Sequence, residues 1–185
     1  MRCVERLFRR AGLALGMSEG FHPKPRMTFP LPLAVGIEGL DEVMEIELTD
    51  TPQAEPLRRL LSSQAPAGLA FRTVELLADG QRKAPPRSAS YRVTIPTPFR
   101  TGLDERIGRL WAASSWPCQR PRRETVIDLR ADLVAISLRE GVLEMRLRSG
   151  PESRAGPRDV LAALELADVE REGVVLTRSD VEIDS

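Results

Sequence analysis

Apolar and polar positions alternate in two different periods along this chain. Val4, Leu7, Phe8 and Ala11 fall at i, i+3, i+4 and i+7, the single apolar stripe of a helix over residues 2–11. Gly12 supplies its stop, while no Ser, Thr, Asp or Asn stands before Val4 to cap its start. From Met27 the period becomes two. Met27, Phe29, Leu31, Leu33 and Val35 alternate with Thr28, Pro30, Pro32 and Ala34, which predicts a strand with one buried face. Pro30 and Pro32 remove N–H donors on one side only, so that strand belongs at a sheet edge. Glu38-Gly39-Leu40-Asp41 reads as a turn, and Met44, Ile46 and Leu48 alternate with Val43, Glu45 and Glu47 to complete a hairpin. Thr51-Pro52 opens a second helix carrying Leu57, Leu60 and Leu61; Pro66 and Gly68 close it. Leu69, Phe71 and Val74 make a further strand.

Residues 78–90 lack apolar content and hold two prolines and three basic residues, the composition of a linker between domains. Beyond it Tyr91, Val93 and Ile95 alternate as a strand, ended by Pro96 and Pro98. Thr101 with Asp104 resembles a capping box, and Leu103, Ile107, Leu110 and Trp111 form a helical stripe. Val134, Ile136 and Leu138 line one side of a strand, Glu140-Gly141 turns the chain, and Leu143, Met145 and Leu147 line the next. Pro157 opens a helix with Val160, Leu161 and Leu164, and Val174, Val175 and Leu176 begin a last strand. This order is strand–helix–strand–strand–helix–strand, the βαββαβ of a ferredoxin-like unit. The first half repeats it without the first strand. The expected fold is therefore α+β: two ferredoxin-like units in tandem, residues 1–77 and 91–185, the first incomplete. A missing central strand exposes two rows of backbone groups. The expectation is that the natural chain starts upstream of Met1, or that a partner donates the strand.

Composition then narrows the chemistry. Of 185 residues 42% are hydrophobic, enough for a core. No apolar run approaches the ~18 residues that span a bilayer, and arginines interrupt any signal peptide, so the expected location is cytoplasmic. One histidine and two distant cysteines, Cys3 and Cys118, build neither a zinc site, nor an iron–sulfur site, nor a disulfide framework. The net charge of zero conceals segregation: residues 1–26 sum to +4, 27–57 to −7, 82–130 to +7 and 131–185 to −5. Twenty-five of the 27 basic residues are Arg. That bias fits either a GC-rich genome or guanidinium chosen for planar recognition of phosphate and carboxylate.

Two segments are candidate sites. The first is Ser18, Glu19, Gly20, Phe21, His22, Pro23, Lys24, Pro25 and Arg26, which places the sole histidine, a lysine, an arginine and an aromatic on a proline-stiffened loop. Its side chains and the amides near Gly20 suit a phosphate or other anion. Equally, the prolines guide the chain onto an edge strand and His22 caps a carbonyl. Neither a catalytic triad nor a Gly-rich phosphate loop is legible. The second segment is basic: Arg82, Lys83, Arg87, Arg92, Arg120, Arg122 and Arg123, the last three near Trp116. Such a run tracks a nucleic-acid backbone or forms a solvated loop. Phe8, Phe29 and Trp111 fall on apolar stripes and are expected in the core.

The run ERLFRRAGLALGMSEGFHPKPRMTFPLPLAVGIEG, Glu5 to Gly39, resembles the radical SAM-linked protein family, also known as domain of unknown function 2344. That family shows a helix ending in R-R-A-G-L, then S-x-G-F-(N/H)-P-x-P-x-(I/M)-(S/T)-F-x-x-P-L-x-(L/V)-G. Ile127-Asp128-Leu129-Arg130, Gly156-Pro157-Arg158-Asp159-Val160-Leu161 and Thr177-Arg178 extend the likeness over nearly the whole chain. Members usually begin with a strand and a segment like R-F-x-S-H-x-D, after which this chain starts. The resemblance implies a radical SAM partner with a cobalamin-binding-like region, which carries the iron–sulfur cluster and S-adenosylmethionine. The present chain lacks CxxxCxxC.

Three functions follow as expectations. The first is a non-catalytic accessory module that presents substrate, RNA among the candidates, to a radical SAM enzyme. The second is metal-independent RNA cleavage with His22 as general base and Lys or Arg stabilising the phosphorane. The third is a structural interaction module that works through its sheet edges.

Overall fold

The computed structural model describes residues 2–78, 80–81, 85–120 and 125–183. In chain order the elements are α1 (Arg2–Arg10), β1 (Met27–Thr28), β2 (Ile37–Gly39), β3 (Glu45–Ile46), α2 (Ala54–Gln64), β4 (Pro86–Thr94), α3 (Leu103–Ala112), β5 (Pro117–Gln119), β6 (Val126–Asp128), α4 (Leu129–Asp132), β7 (Leu133–Arg139), β8 (Val142–Arg148), α5 (Pro157–Ala163) and β9 (Leu176–Ile183). The fold is α+β. No described helix is long and apolar enough to cross a membrane. The chain divides into two units, Met1–Phe29 with Met44–Lys83, and Pro30–Val43 with Ala84–Ser185. The expected boundaries treated residues 1–77 as continuous. Instead, 14 residues of that stretch, Pro30–Val43, belong to the second unit.

In the first unit the stripe on α1 buries Leu7 and Phe8 against Leu57 and Leu61 of α2. Leu60, expected on the same face, is 38% exposed. The expected long hairpin is reduced to a two-residue ladder, Met27 opposite Ile46 and Thr28 opposite Glu45. Pro30 and Pro32 explain where β1 stops: a proline has no N–H to extend the pairing. The strand expected at Leu69, Phe71 and Val74 forms no ladder, although all three side chains pack on the α1–α2 cluster.

The second unit holds a five-stranded sheet in the order β2-β9-β4-β8-β7. β4 is antiparallel to both β8 and β9, and β7 to β8. The element order β4-α3-β7-β8-α5-β9 matches the alternation read from residues 91–185, with the short β5, β6 and α4 inserted. Strand β4 begins at Pro86, inside the expected linker. Its early buried residues, Ser88 and Ala89, are small, so the hydrophobic pattern there is faint. Ala89, Tyr91 and Val93 share the core with Leu143, Met145 and Leu147 of β8 and with Leu103, Leu110, Val160 and Leu161 of the helices. Fully burying one such leucine stabilises by roughly 1.5–3 kcal/mol. The turn at Glu140 (φ 51°) and Gly141 (φ 79°) puts both central residues at positive φ, as a two-residue hairpin demands. The capping box expected at Thr101 and Asp104 does not form; Gly102, at φ 67°, precedes α3 with no side-chain cap. Trp111 is 44% exposed rather than in the core, with the Arg130 guanidinium 4.4 Å from its ring.

The excursion Pro30–Val43 adds β2 to the sheet, parallel to β9, with Gly39 opposite Arg178. Arg178 is 1% exposed. Its Nε donates to Glu42 Oε1 at 2.8 Å, and its Nη2 to the Leu31 carbonyl at 2.7 Å and to Glu42 Oε2. Gly39 makes this reach feasible: a Cβ there would stand 2.6 Å from Glu42 Cγ. Arg158 gives a second anchor, donating to the Val35 carbonyl at 3.0 Å and to both oxygens of Glu170 at 2.7 and 2.8 Å. The Arg158 hydrogen bond holds the Glu170 carboxyl below its ordinary range against the opposing effect of partial burial.

Glu42→Ala leaves a buried guanidinium without its carboxylate, a loss of about 3 kcal/mol. Urea unfolding should show a lower midpoint at unchanged slope, and native-state exchange should rise at the Leu40 amide, which donates to the Arg178 carbonyl. The depressed Glu170 also gives a pH signature. Its stabilisation is complete above the ordinary glutamate value of about 4.3 and is lost as pH falls through the lower folded value. Arg158→Gln should flatten that acid-side decline in urea titrations.

Candidate functional site

Gly12, at φ 66°, ends α1 in a left-handed turn, with the Leu13 amide donating to the Phe8 carbonyl at 3.2 Å. The chain then runs extended: Leu15 bridges Leu48, and Met17 bridges Pro25. Between the latter pair lies the expected site loop. Its neck is closed by local bonds. The Ser18 amide donates to the Lys24 carbonyl at 2.8 Å, and the Lys24 amide to Ser18 Oγ at 3.0 Å. Pro23 and Pro25 flank Lys24, so the one backbone donor among these three residues is spent on the neck. Beyond the neck Glu19, Gly20, Phe21, His22 and Pro23 are exposed, and Phe21 is 102% exposed. Gly20 turns the tip at φ 118°, a conformation open to glycine.

Arg26 stands apart from the tip. Its amide donates to the Gly16 carbonyl at 2.8 Å, Gly16 donates to Glu47 at 2.8 Å, and Glu47 donates back to the Arg26 carbonyl at 3.0 Å. Above this backbone triangle Arg26 Nη1 contacts Glu47 Oε1 and Oε2 at 3.1 and 3.3 Å. A Cβ on Gly16 would lie 2.7 Å from Glu47 Oε1, so glycine leaves the room in which the carboxylate crosses to the arginine. Arg26 was expected to hold an anion; its charge is met by Glu47 instead. Glu47 itself was read as the solvent side of a strand, and no sequence signal pairs it with a residue 21 positions earlier. Lys24 remains as the loop's cation, exposed and with no ion pair among the described residues. An imidazole at an open tip works in water, where electrostatic stabilisation of a developing charge is weak.

Of the basic candidates Arg120, Arg122 and Arg123, the structure describes Arg120. Arg120 binds Asp159 through Nε at 2.9 Å and Nη2 at 2.6 Å, and also reaches the Arg154 carbonyl. The Asp159 hydrogen bond raises the Arg120 pKa above its ordinary value. Asp159 Oδ2 accepts the Gly156 amide at 2.6 Å, which opens α5, and Asp132 Oδ2 accepts the Arg154 and Ala155 amides, each at 2.8 Å. Arg120 therefore fastens the loop before α5. Arg82, Lys83, Arg122 and Arg123 lie outside the described residues. Trp116 packs partly on the core, and its amide donates to Asp128 Oδ1 at 2.8 Å. That bond, first, then the Ser115 hydroxyl and the Arg130 and Ala131 amides hold the Asp128 carboxyl below its ordinary value. A small cleft lined by Leu31, Tyr91, Leu147, Ser149 and Ser153 includes none of the expected site residues.

A protein-family model described as "Uncharacterized protein conserved in bacteria (DUF2344)" matches residues 1–157. No curated protein matches the chain. Within the second half, motifs that carried the resemblance serve structural ends: Asp128 binds the Trp116 and Arg130 amides, Asp159 opens α5 and Arg178 anchors the excursion.

The neck bonds set an expected exchange pattern. The Ser18 and Lys24 amides should exchange slowly and those of Gly20, Phe21 and His22 fast. Ser18→Ala should accelerate the Lys24 amide severalfold while leaving Ser18's own bond to the Lys24 carbonyl in place, as hydrogen-exchange NMR would read.

Proposed function

We propose, from the premise that this chain belongs to the DUF2344 family of bacterial proteins, that it is a non-catalytic docking and presenting module. One observation carries the reading. The only residue of the candidate loop with a large apolar side chain, Phe21, stands wholly in solvent on a loop whose neck is bonded shut. Exposing an aromatic costs solvation free energy, and a prefixed loop loses little conformational entropy on binding. His22 and Lys24 flank it with polar contacts, the composition of an interface anchor with a polar rim.

The partner in this reading is a radical SAM enzyme with a cobalamin-binding-like region. The iron–sulfur cluster and S-adenosylmethionine reside on that enzyme; Cys3 and Cys118 are too far apart in sequence to supply a clustered ligand set here. This chain holds the partner, and with it an RNA or other anionic substrate near Lys24. In architecture, the strand order of the second unit supports reading it as ferredoxin-like, and α1, β1, β3 and α2 support the middle of the same plan in the first.

Co-expression with a radical SAM protein that has a cobalamin-binding-like region, followed by affinity purification, tests the reading. The wild-type chain should retain the enzyme, and Phe21→Ser should weaken binding by tenfold or more, about 1.4 kcal/mol or greater, at unchanged thermal stability. Absence of the enzyme from repeated purifications, or an unaffected Phe21→Ser variant, refutes it. RNA binding through Lys24 should weaken with added salt.

A further inference from the structure

The excursion Pro30–Val43 is held to the second unit by polar clasps more than by packing. None of its 14 residues is buried. Its ladder to β9 spans three residues, Ile37 to Gly39, and Val35 and Leu40 stand 95% and 42% exposed. Leu31 and Ile37 are the apolar residues it packs, partly buried, on the core. Two arginines do the fastening. Arg158 reaches the Val35 carbonyl in the middle of the excursion, and Arg178 reaches Leu31 and Glu42 near its two ends. A segment with so few buried apolar contacts opens at lower cost than the domain it rests on.

Such opening uncovers more than a sheet edge. Arg178 loses its carboxylate and its carbonyl acceptor together, because Glu42 and Leu31 lie on the same segment. Tyr91 stands directly across from Arg178 in the β4–β9 ladder. Beside it lies the cleft of about 120 Å³ walled by Leu31, Tyr91, Leu147, Ser149, Ser153 and Ala155. Leu31 belongs to both places: its carbonyl meets the guanidinium, and the residue closes one wall of the cleft. With the segment lifted, the cleft loses that wall and the guanidinium stands at its margin. Arg178 Nε and Nη2 each face one oxygen of Glu42, the fork geometry that selects a carboxylate. A buried ion pair often stabilises no better than apolar residues of the same volume, and a cation that can exchange one carboxylate for another gives it a different use.

We propose that Arg178 anchors a carboxylate-binding site, that Glu42 occupies it as an internal ligand, and that Pro30–Val43 is a strap that opens as one unit to admit an external one. The external ligand is a small monocarboxylate with a short branched apolar tail. Its carboxylate replaces that of Glu42, and its tail takes the place of Leu31 beside Tyr91, Leu147 and Ala155. A charge in the tail is disfavoured, since those walls offer it no partner. Tethering raises the effective concentration of Glu42, so a free acid competes weakly against the intact strap and strongly once Glu42 is removed. This inference goes beyond the docking reading and does not depend on the Phe21 loop.

The test uses the 185-residue chain and two readouts. Native-state hydrogen exchange compares the Ile37 and Leu40 amides of the strap with that of Ile95, which donates to the Gly141 carbonyl in the core. Ile37 and Leu40 should exchange at least tenfold faster than Ile95, with a common and shallower urea dependence. Arg158→Gln should speed Leu40 at least threefold and leave Ile95 unchanged, although Arg158 bonds Val35 and Leu40 bonds Arg178. Strap amides that exchange only together with Ile95, or a Leu40 amide unmoved by Arg158→Gln, overturn the strap. NMR of the Arg178 Nε–H then follows titration with 4-methylpentanoate, with 4-methylpentanamide as neutral control. In Glu42→Ala the acid should give a saturable shift, at least tenfold tighter than the amide and at least tenfold tighter than the acid on the wild type. Equal response to acid and amide, a shift that does not saturate, or equal affinity in wild type and variant overturns the carboxylate site. Glu42→Gln, which keeps the side-chain volume, takes the same titration with the same outcomes if Glu42→Ala does not fold, and the wild-type exchange rates decide the strap without either variant.

Discussion

The Arg178 guanidinium lies out of reach of water, and a buried cation must find its carboxylate and remaining acceptors within the protein. Glu42 and the Leu31 carbonyl meet that demand, and both come from a stretch of chain whose neighbours on either side belong to the other unit. The parallel strand β2, the register of Gly39 opposite Arg178 and the departure of the chain from β1 after Thr28 all accompany this one pairing. The second unit's sheet therefore has an edge strand taken from early sequence, which covers one side of β9.

The same device occurs twice with different weight. Gly39 clears a path for Glu42 to reach Arg178, and Gly16 clears one for Glu47 to reach Arg26. In the first case the arginine is buried and removal of its partner is costly. In the second, both side chains are about half exposed, and such a pair is worth roughly 0.2–1 kcal/mol. The Arg26–Glu47 pair thus does less for stability than for the character of the loop. It neutralises the cation at the base and leaves Phe21, His22 and Lys24 to define the tip.

What was legible in the sequence is what is local. The stripes on α1 and α5, the α3 stripe apart from Trp111, the alternation of β8 and the turn at Glu140 and Gly141 stand where the periodicity placed them. The loop from Ser18 to Lys24 was legible too, since its closing bonds span six residues. The illegible features depend on distant partners. The alternation from Met27 to Val35 mimics one long strand, yet only Met27 and Thr28 pair; the rest is drawn away by an arginine far downstream. Arg26 and Arg120 read as anion contacts because Glu47 and Asp159 are 21 and 39 residues away. The start of β4 was hidden by serine and alanine at its buried positions.

The interleaving of the two units also bears on the order in which the molecule is made. Glu42 and Arg178 are separated by 136 residues. At ribosomal rates of about 5–20 residues per second, roughly 7–27 s pass between synthesis of the acid and of its arginine. During that interval Pro30–Val43 has no β9 to join, and neither the acidic stretch nor the apolar Leu31 and Ile37 has its final cover. The prolines at 30 and 32 then act in time as well as in space. A nascent segment that lacks those donors pairs poorly with neighbouring chains while it waits for the last strand to leave the ribosome.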